Sequence, residues 1–492
     1  MIFLFIALPL FTAALLPLIG KVSRRVLPDL VANGVMLFLV VDAVVVGRRL
    51  IGGGPVVQQL AWLGEPVNIR LALDGFSLFM LFVVALVGLA ASLFSIDYME
   101  HYGSKGTFYA LYLVMIAGMN GLLLSSDLFS VYVFLEVAAI ASYALVAFGR
   151  GLDELEAAVK YLLLSVLASA LILAAVAVLF GVTGSLDFAG VARGLKDLDT
   201  GGVVAVAATL FLMGFGLKAA LVPFHAWLPD AHPSAPAPIS AVLSGLLIKV
   251  SGVYALARIF FNVFGLTPAL SRALLVMGTV SMVVAALLAL GQKDIKRMLA
   301  YSSISQVGYI VVGLGTGTAL GIAGGLFHLF NHALAKGLLF LNSGAIQQAT
   351  GTRNLDEMGG LAKRMPLTAG TNIIGALSIS GVPPLNGFWS KLLIIIALVQ
   401  AGHPIYAVIA VLTSVLTLWY YLIMQRKAFF GKLGEKWTAV KEAPFWMSAA
   451  LVLLALACVG VGIFFSSVVA AWVRPASDAL AEGVQLVLRG EF

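Results

Sequence analysis

Glu136 stands alone in a long apolar run, VFLEVAAIASYAL, with its nearest charged neighbours at Asp127 and Arg150. A charge at the centre of a bilayer costs about 2.5–3.5 kcal/mol on insertion scales, so it needs a partner, water or a changed protonation state. Lys218 is a fitting partner. It lies in GFGLKAALVPFHAWLPDAH, shortly before Pro223. A proline removes an amide donor and frees a carbonyl about one turn back, which polarises the backbone beside the amine. Burial favours the neutral lysine and a nearby carboxylate favours the ammonium, so their separation can control the proton. The plainer readings are a fixed interhelical salt bridge for Glu136 and a permanently charged Lys218.

Further groups of the same kind follow along the chain. Lys249 occupies the centre of SGLLIKVSGVYAL, with Gly245 and Gly252 on either side to permit close helix packing. His328, His332 and Lys336 are spaced i, i+4, i+8 and share one helix face. Two histidines so spaced can bind zinc, but no third Cys, Asp or Glu ligand lies near, so no metal is expected. A hydrated proton wire suits imidazoles better; polar helix packing is the alternative. Lys391, in GFWSKLLI, follows Pro383-Pro384, with snorkelling to an interface as its plainer role. His225 and His232 flank a short Pro-rich segment and, with Pro223 and Pro383, are candidate gate residues. Lys160 follows Glu156 at i, i+4 and reads as a helix-stabilising pair. Asp74, Asp97 and Glu100 are expected to be solvated at helix ends.

The elements that must position these groups are transmembrane helices. Of 492 residues, 61% are hydrophobic and only 11% are charged, against about 25% charged in soluble domains. Mean hydropathy is +1.05. A soluble enzyme, a disordered chain and a nucleic-acid binder are excluded. Fourteen runs, from 2–20 to 446–472, approach the ~20 residues a crossing needs. Strand-type alternation is absent, which excludes a membrane barrel. The fold class is therefore all-α and polytopic. The first run has no basic residues before it and reads as a retained helix rather than a cleaved signal. Sixteen Lys and Arg fall in odd-numbered loops, Lys105, Arg150, Lys293, Lys296 and Arg353 among them. Seven, including Arg70 and Arg258, fall in even-numbered loops and helix ends. The positive-inside rule then places the odd loops in the cytoplasm and both termini outside.

The run 368–400 is too long for one straight crossing and is interrupted by Pro383-Pro384; the seventh run meets Pro223. Crossings 7 and 12 thus read as broken helices, each with a Val-Pro step near one lysine. An offset of five crossings inverts membrane direction, which implies inverted repeats. The organisation expected is helices 1–3 in 1–106, a first five-helix repeat in 107–262, a second in 263–430, and a last helix with a short tail in 431–492. Cys458 is the sole cysteine, so disulfides, thiolate metal sites and iron–sulfur clusters are not expected. Nucleotide-binding, flavin and hydrolytic motifs are also missing, so neither a cofactor nor a catalytic centre is expected.

LeuAspGlyPheSer at 73–77, FLEVAAIASYAL at 134–145 and KAALVPFHAWLPDAHPSAPAPISAVLSGLLIK at 218–249 carry a resemblance. IKRMLAYSSISQVGY at 295–309 and FHLFNHALAKGLLFL at 327–341 extend it. The chain resembles the proton-translocating antiporter-like subunits shared by respiratory complex I, Mrp-type sodium/proton antiporters and membrane-bound hydrogenases. That resemblance covers about 70–430. It implies fourteen helices with broken helices 7 and 12. It also implies an ion path from Glu136 and Lys218, as input pair, through Lys249 and His328 or His332 to Lys391. The brevity of the last segment and the wording at 232–240 are closer to the Mrp D-type and hydrogenase-linked subunits.

The reading is a proton-conducting or Na+/H+-exchanging subunit of a complex in the cell membrane. Its expected partners are other membrane subunits, protons or sodium, and lipid, with no nucleic acid. A stand-alone transporter of a small solute and a non-conducting scaffold subunit are the rival readings.

Overall fold

The apolar runs fold into long helices because backbone groups in hydrocarbon can only be satisfied within a helix or a closed barrel. The computed structural model describes residues 2–60, 69–197 and 201–490. Among the described residues, twelve helices are long and apolar enough to cross a membrane. Two of the fourteen expected runs fall outside that set. The run at 318–345 forms the 32-residue helix Ala319–Thr350, whose histidines, asparagines and lysine lower its hydropathy. The run at 368–400 forms two 15-residue helices, Pro366–Ser380 and Asn386–Gln400. Each is shorter than the ~20 residues of a full crossing.

Burial grades from the centre outward. Gly75–Tyr98, Ala237–Val263, Ile295–Gly315 and Ala319–Thr350 are almost wholly buried, whereas Leu152–Thr183 and Pro404–Gln425 expose an apolar face. Close approach at the centre depends on small residues. A Cβ on Gly252 would lie 2.5 Å from the Ala219 backbone, and one on Gly308 would lie 2.5 Å from the Gly278 carbonyl. The helix bearing Lys249 therefore presses directly on the residue that follows Lys218.

The chain leaves helical geometry in two places that matter for the site. Gly201–Lys218 ends on the lysine, and the next regular element is the short helix Leu228–Ser234. Between them Ala220 takes a left-handed φ of 56°. The second interruption lies between Ser380 and Asn386, with Gly381 at φ 83°.

Several expectations are corrected. A short antiparallel pair, Val56–Leu60 with Ile69–Leu73, lies between the second and third long helices; IRLAL alternates over too few residues to stand out from its apolar surroundings. Asp74 is buried rather than solvated, and Arg258, assigned to a helix end, is buried on the Ala237–Val263 helix facing it. Lys105 and Lys296, assigned to odd loops, are buried too. Lys105 reaches Asp29 at 2.6 Å and Glu100 at 2.7 Å, and Lys296 donates to the Ala235 carbonyl at 2.9 Å. Each sits at a helix start, where the side chain turns inward to an acid or carbonyl. Asp97 accepts from the Trp446 amide at 2.8 Å and so caps the helix Phe445–Ile463.

Candidate functional site

Three helices deliver the first pair of charges. Leu128–Val146 starts at Asp127, whose carboxylate accepts from the Ser130 amide at 2.7 Å, and it carries Glu136 near its middle. Gly201–Lys218 packs along Leu152–Thr183 and ends on Lys218. There the Lys218 Nζ lies 3.5 Å from Glu136 Oε1 and 2.6 Å from Ser165 Oγ. Ser169 Oγ donates to Glu136 Oε1. Lys218 is enclosed, while the Glu136 side chain is 22% exposed, so only the acid faces out of the chain. The position of the ammonium at a helix C-terminus is favourable, because unpaired carbonyls collect there.

The turn after Lys218 is tied on every side. The Leu221 amide returns to the Gly216 carbonyl at 2.8 Å, and the Val222 amide donates to Ser281 Oγ at 2.9 Å. Trp227 Nε1 donates to the Leu217 carbonyl at 3.0 Å, and its ring stacks on Tyr161 with centroids 4.3 Å apart. A narrow cavity beneath is lined by Tyr161, Ser165, Lys218, Trp227 and Ser251 among others.

Lys249 lies where the Ala237–Val263 helix widens into π-helical turns, Leu243–Leu247 and Lys249–Tyr254. Such turns are frequent at functional sites. The Lys249 ammonium donates to the Ser244 carbonyl, and Ser244 Oγ is 2.7 Å from Ser303 Oγ. Among the described residues no direct hydrogen bond joins Lys218 to Lys249, or Lys249 to Lys336.

His328, His332 and Lys336 are fully buried on Ala319–Thr350, as their shared face requires. His328 Nε2 lies 3.1 Å from Gln306 Oε1 and Nδ1 lies 2.9 Å from Ser390 Oγ. A carbonyl oxygen only accepts, so a neutral His328 carries its proton on Nε2 and accepts from Ser390. Among the described residues, neither ring nitrogen of His332 has a hydrogen-bond partner. Lys336 donates to Tyr421 OH at 2.9 Å and to the Leu299 carbonyl at 3.0 Å. Lys391 donates to Ser414 Oγ at 3.1 Å and sits 4.7 Å from the centre of the Tyr309 ring. The Tyr309 ring is in turn 5.6 Å from that of His328. Lys391 is 3% exposed, which excludes snorkelling.

Among the described residues no hydrogen bond or ring contact joins the four candidate gate residues into one group. Pro223 and Pro383 are exposed and His225 is half-buried. His232 is buried, its ring stacked 4.4 Å from Phe340, and has no hydrogen-bond partner among the described residues. Sequence reasoning missed Ser165, Ser169, Tyr309 and Ser390. For the two serines of Leu152–Thr183 the one signal is spacing: Tyr161, Ser165 and Ser169 recur at i, i+4, i+8, on the helix face that meets the Glu136–Lys218 pair. Among the described residues no group of three or more His, Cys, Asp or Glu could hold a metal ion.

A bundle of apolar helices with buried amines, imidazoles and carboxylates inside it defines a multi-pass membrane protein. The family described as "NADH:quinone oxidoreductase/Mrp antiporter, TM" matches residues 125–417. The family described as "NADH-Ubiquinone oxidoreductase (complex I), chain 5 N-terminus" matches residues 63–109. The chain is 34% identical to NADH-quinone oxidoreductase subunit N of Desulforudis audaxviator, covering 95% of this chain and 96% of that one. It is 36% identical to the D-type Na(+)/H(+) antiporter subunit of Alkalihalophilus pseudofirmus, covering 87% and 86%. A chain in the structure of the Mrp complex from Dietzia sp. superposes with a TM-score of 0.91 at 30% identity over 99% of both. The protein belongs to the antiporter-like membrane subunits of complex I, Mrp antiporters and membrane-bound hydrogenase-type complexes.

Proposed function

We propose that this chain conducts protons, or exchanges sodium for protons, as one subunit of a multi-subunit complex in the cell membrane. The observation that carries the reading is the Glu136–Lys218 pair. It is loose at 3.5 Å, enclosed on the lysine side, and set at the end of an interrupted helix. The path runs from Glu136 and Lys218 through Lys249, then His328, His332 and Lys336, to Lys391. Serine and tyrosine hydroxyls beside Lys336, His328 and Lys391 supply steps for a proton relay, with water filling the gaps between the lysines. No redox or hydrolytic chemistry is assigned to the chain. A neighbouring module would drive transport by altering charge near Glu136 and so the Glu136–Lys218 separation.

The fourteen-crossing scheme belongs to the same reading. The two helix interruptions serve as breaks in crossings 7 and 12, inside inverted repeats at 107–262 and 263–430. His225, His232, Pro223 and Pro383 flank those breaks as gate residues. The odd-numbered loops are placed in the cytoplasm and both termini outside. Ion pairs support one common side for five of these loops: Asp230 pairs with Lys160 and Arg297, Asp294 with Arg353, and Asp356 with Lys293 and Lys427.

The test is ion translocation by the complex in proteoliposomes. Lys218→Ala and Glu136→Ala are expected to abolish it in fully assembled complexes. Normal translocation by an assembled Lys218→Ala complex would remove the mechanism. Activity of the purified single chain would favour a stand-alone transporter instead.

A further inference from the structure

Lys218 and Glu136 each have a second partner, and both partners come from the same helix. Ser165 Oγ lies nearer to Lys218 Nζ than Glu136 does, 2.6 Å against 3.5 Å. Ser169 Oγ, one turn further along Leu152–Thr183, donates to Glu136 Oε1. Both serines are buried, at 1% and 4% exposure. Their spacing of four residues puts the two hydroxyls on one helix face, one above the other.

A hydroxyl differs from either charged group in one respect. It can both donate and accept, whereas an ammonium only donates and a carboxylate only accepts. Ser165 accepts from the Lys218 ammonium, and by rotating its O–H it can donate to the neutral amine. Ser169 donates to the Glu136 carboxylate and can accept from the protonated acid. A buried polar group left without a partner is costly, because its lost contact with water is not replaced. With both serines present, the pair can gain or lose a proton without leaving such an orphan.

We propose that Ser165 and Ser169 are positioning residues of the ion path, holding Lys218 and Glu136 in both of their protonation states. Neither serine takes the transported proton; each acts through the residue it holds. Lys218 passes between Glu136 and Ser165 as its charge changes, and Ser169 keeps Glu136 from following it. The proposal rests on the translocation role given to Glu136 and Lys218.

The experiment compares Ser165→Ala, Ser165→Thr, Ser169→Ala and Ser169→Thr with Lys218→Ala in the same assembled complex. Ion flux in proteoliposomes is normalised to the amount of assembled complex. Each alanine variant is expected to lose tenfold or more in flux at unchanged assembly. Each threonine variant, which keeps the hydroxyl, is expected to stay within about twofold of the parent, a pattern tied to the hydroxyl itself. Alanine variants with parental flux would overturn the proposal, as would threonine variants as slow as alanine. Parental flux in Lys218→Ala would instead overturn the translocation role itself, so the two failures are distinguishable.

Discussion

The Asp74–Arg258 and Glu136–Lys218 pairs both lie inside the bundle, and they are built in opposite ways. Arg258 meets Asp74 with two bonds of 2.8 Å, and the side chains are 2% and 1% exposed. Its guanidinium also lies 5.0 Å from the Phe76 ring centre and donates to Asn262 at 3.1 Å. Asn262 in turn donates to the carbonyls of Ala479 and Gly483 in the C-terminal segment. Glu136 and Lys218 share one contact of 3.5 Å and are separately held by serines. A forked, fully satisfied pair has one arrangement and no proton to give, since arginine stays protonated in proteins. A lysine with a carboxylate on one side and a hydroxyl on the other has two under the proposed role of the serines. The first pair is construction, fastening the Gly75–Tyr98 helix to Ala237–Val263 and the tail. The second is loosely held, and in the proposed function it acts as the switch.

Substitutions can break this contrast, beginning with the largest effect. Lys218→Ala is expected to lower ion flux by at least 100-fold, as loss of a positioned proton-transfer group does, with assembly unchanged by blue-native gel. Arg258→Ala leaves Asp74 buried without its partner, which costs about 3–5 kcal/mol. Its expected result is a large fall in the amount of folded chain recovered from membranes. Replacing both partners, Arg258→Met with Asp74→Leu, is expected to recover much of that yield, because an apolar pair leaves no orphan charge. Recovery remains incomplete because Asp74 also caps its helix through the Ser77 amide at 2.8 Å.

Asp356→Asn probes the loop clamps and has the smallest effect. Hydrogen bonds from Lys427 and Lys293 hold the Asp356 carboxyl below its ordinary value. A lowered folded pKa means that this clamp is present above the ordinary carboxylate pKa and is lost as pH falls through the lowered value. The pair is solvent-exposed, so at neutral pH the variant is expected to change melting temperature and flux only marginally. A tenfold loss of flux would mean that these loops take part in the switch.

The contrast between the two pairs also marks how far sequence can be read. Glu136, Lys218, Lys249 and Lys391 were legible because a charge within an apolar run has a cost that demands a reason. Ser165 and Ser169 were not, since a serine in a transmembrane helix can satisfy itself on the carbonyl four residues back, and the Ser165 carbonyl, 3.0 Å from Ser169 Oγ, is such an alternative acceptor. Asp74 and Arg258 sit near the ends of apolar runs, where solvation and burial look alike until the facing helix is known. Lys105 and Lys296 were misread for the same reason. The long helices were legible from hydropathy, the 318–345 run included, although Ala319–Thr350 gives up apolar positions to polar ones. Its centrality follows from the helices around it, which no local pattern reveals.

The most direct measurement places the two pairs side by side. Lys218→Met and Arg258→Met would be introduced separately, and both assembled yield and ion flux per assembled complex recorded. Opposite outcomes are expected. Lys218→Met assembles at parental yield and does not translocate, whereas Arg258→Met assembles poorly and the surviving complexes translocate. Parental flux per complex in Lys218→Met, or normal yield without flux in Arg258→Met, would contradict this division of roles.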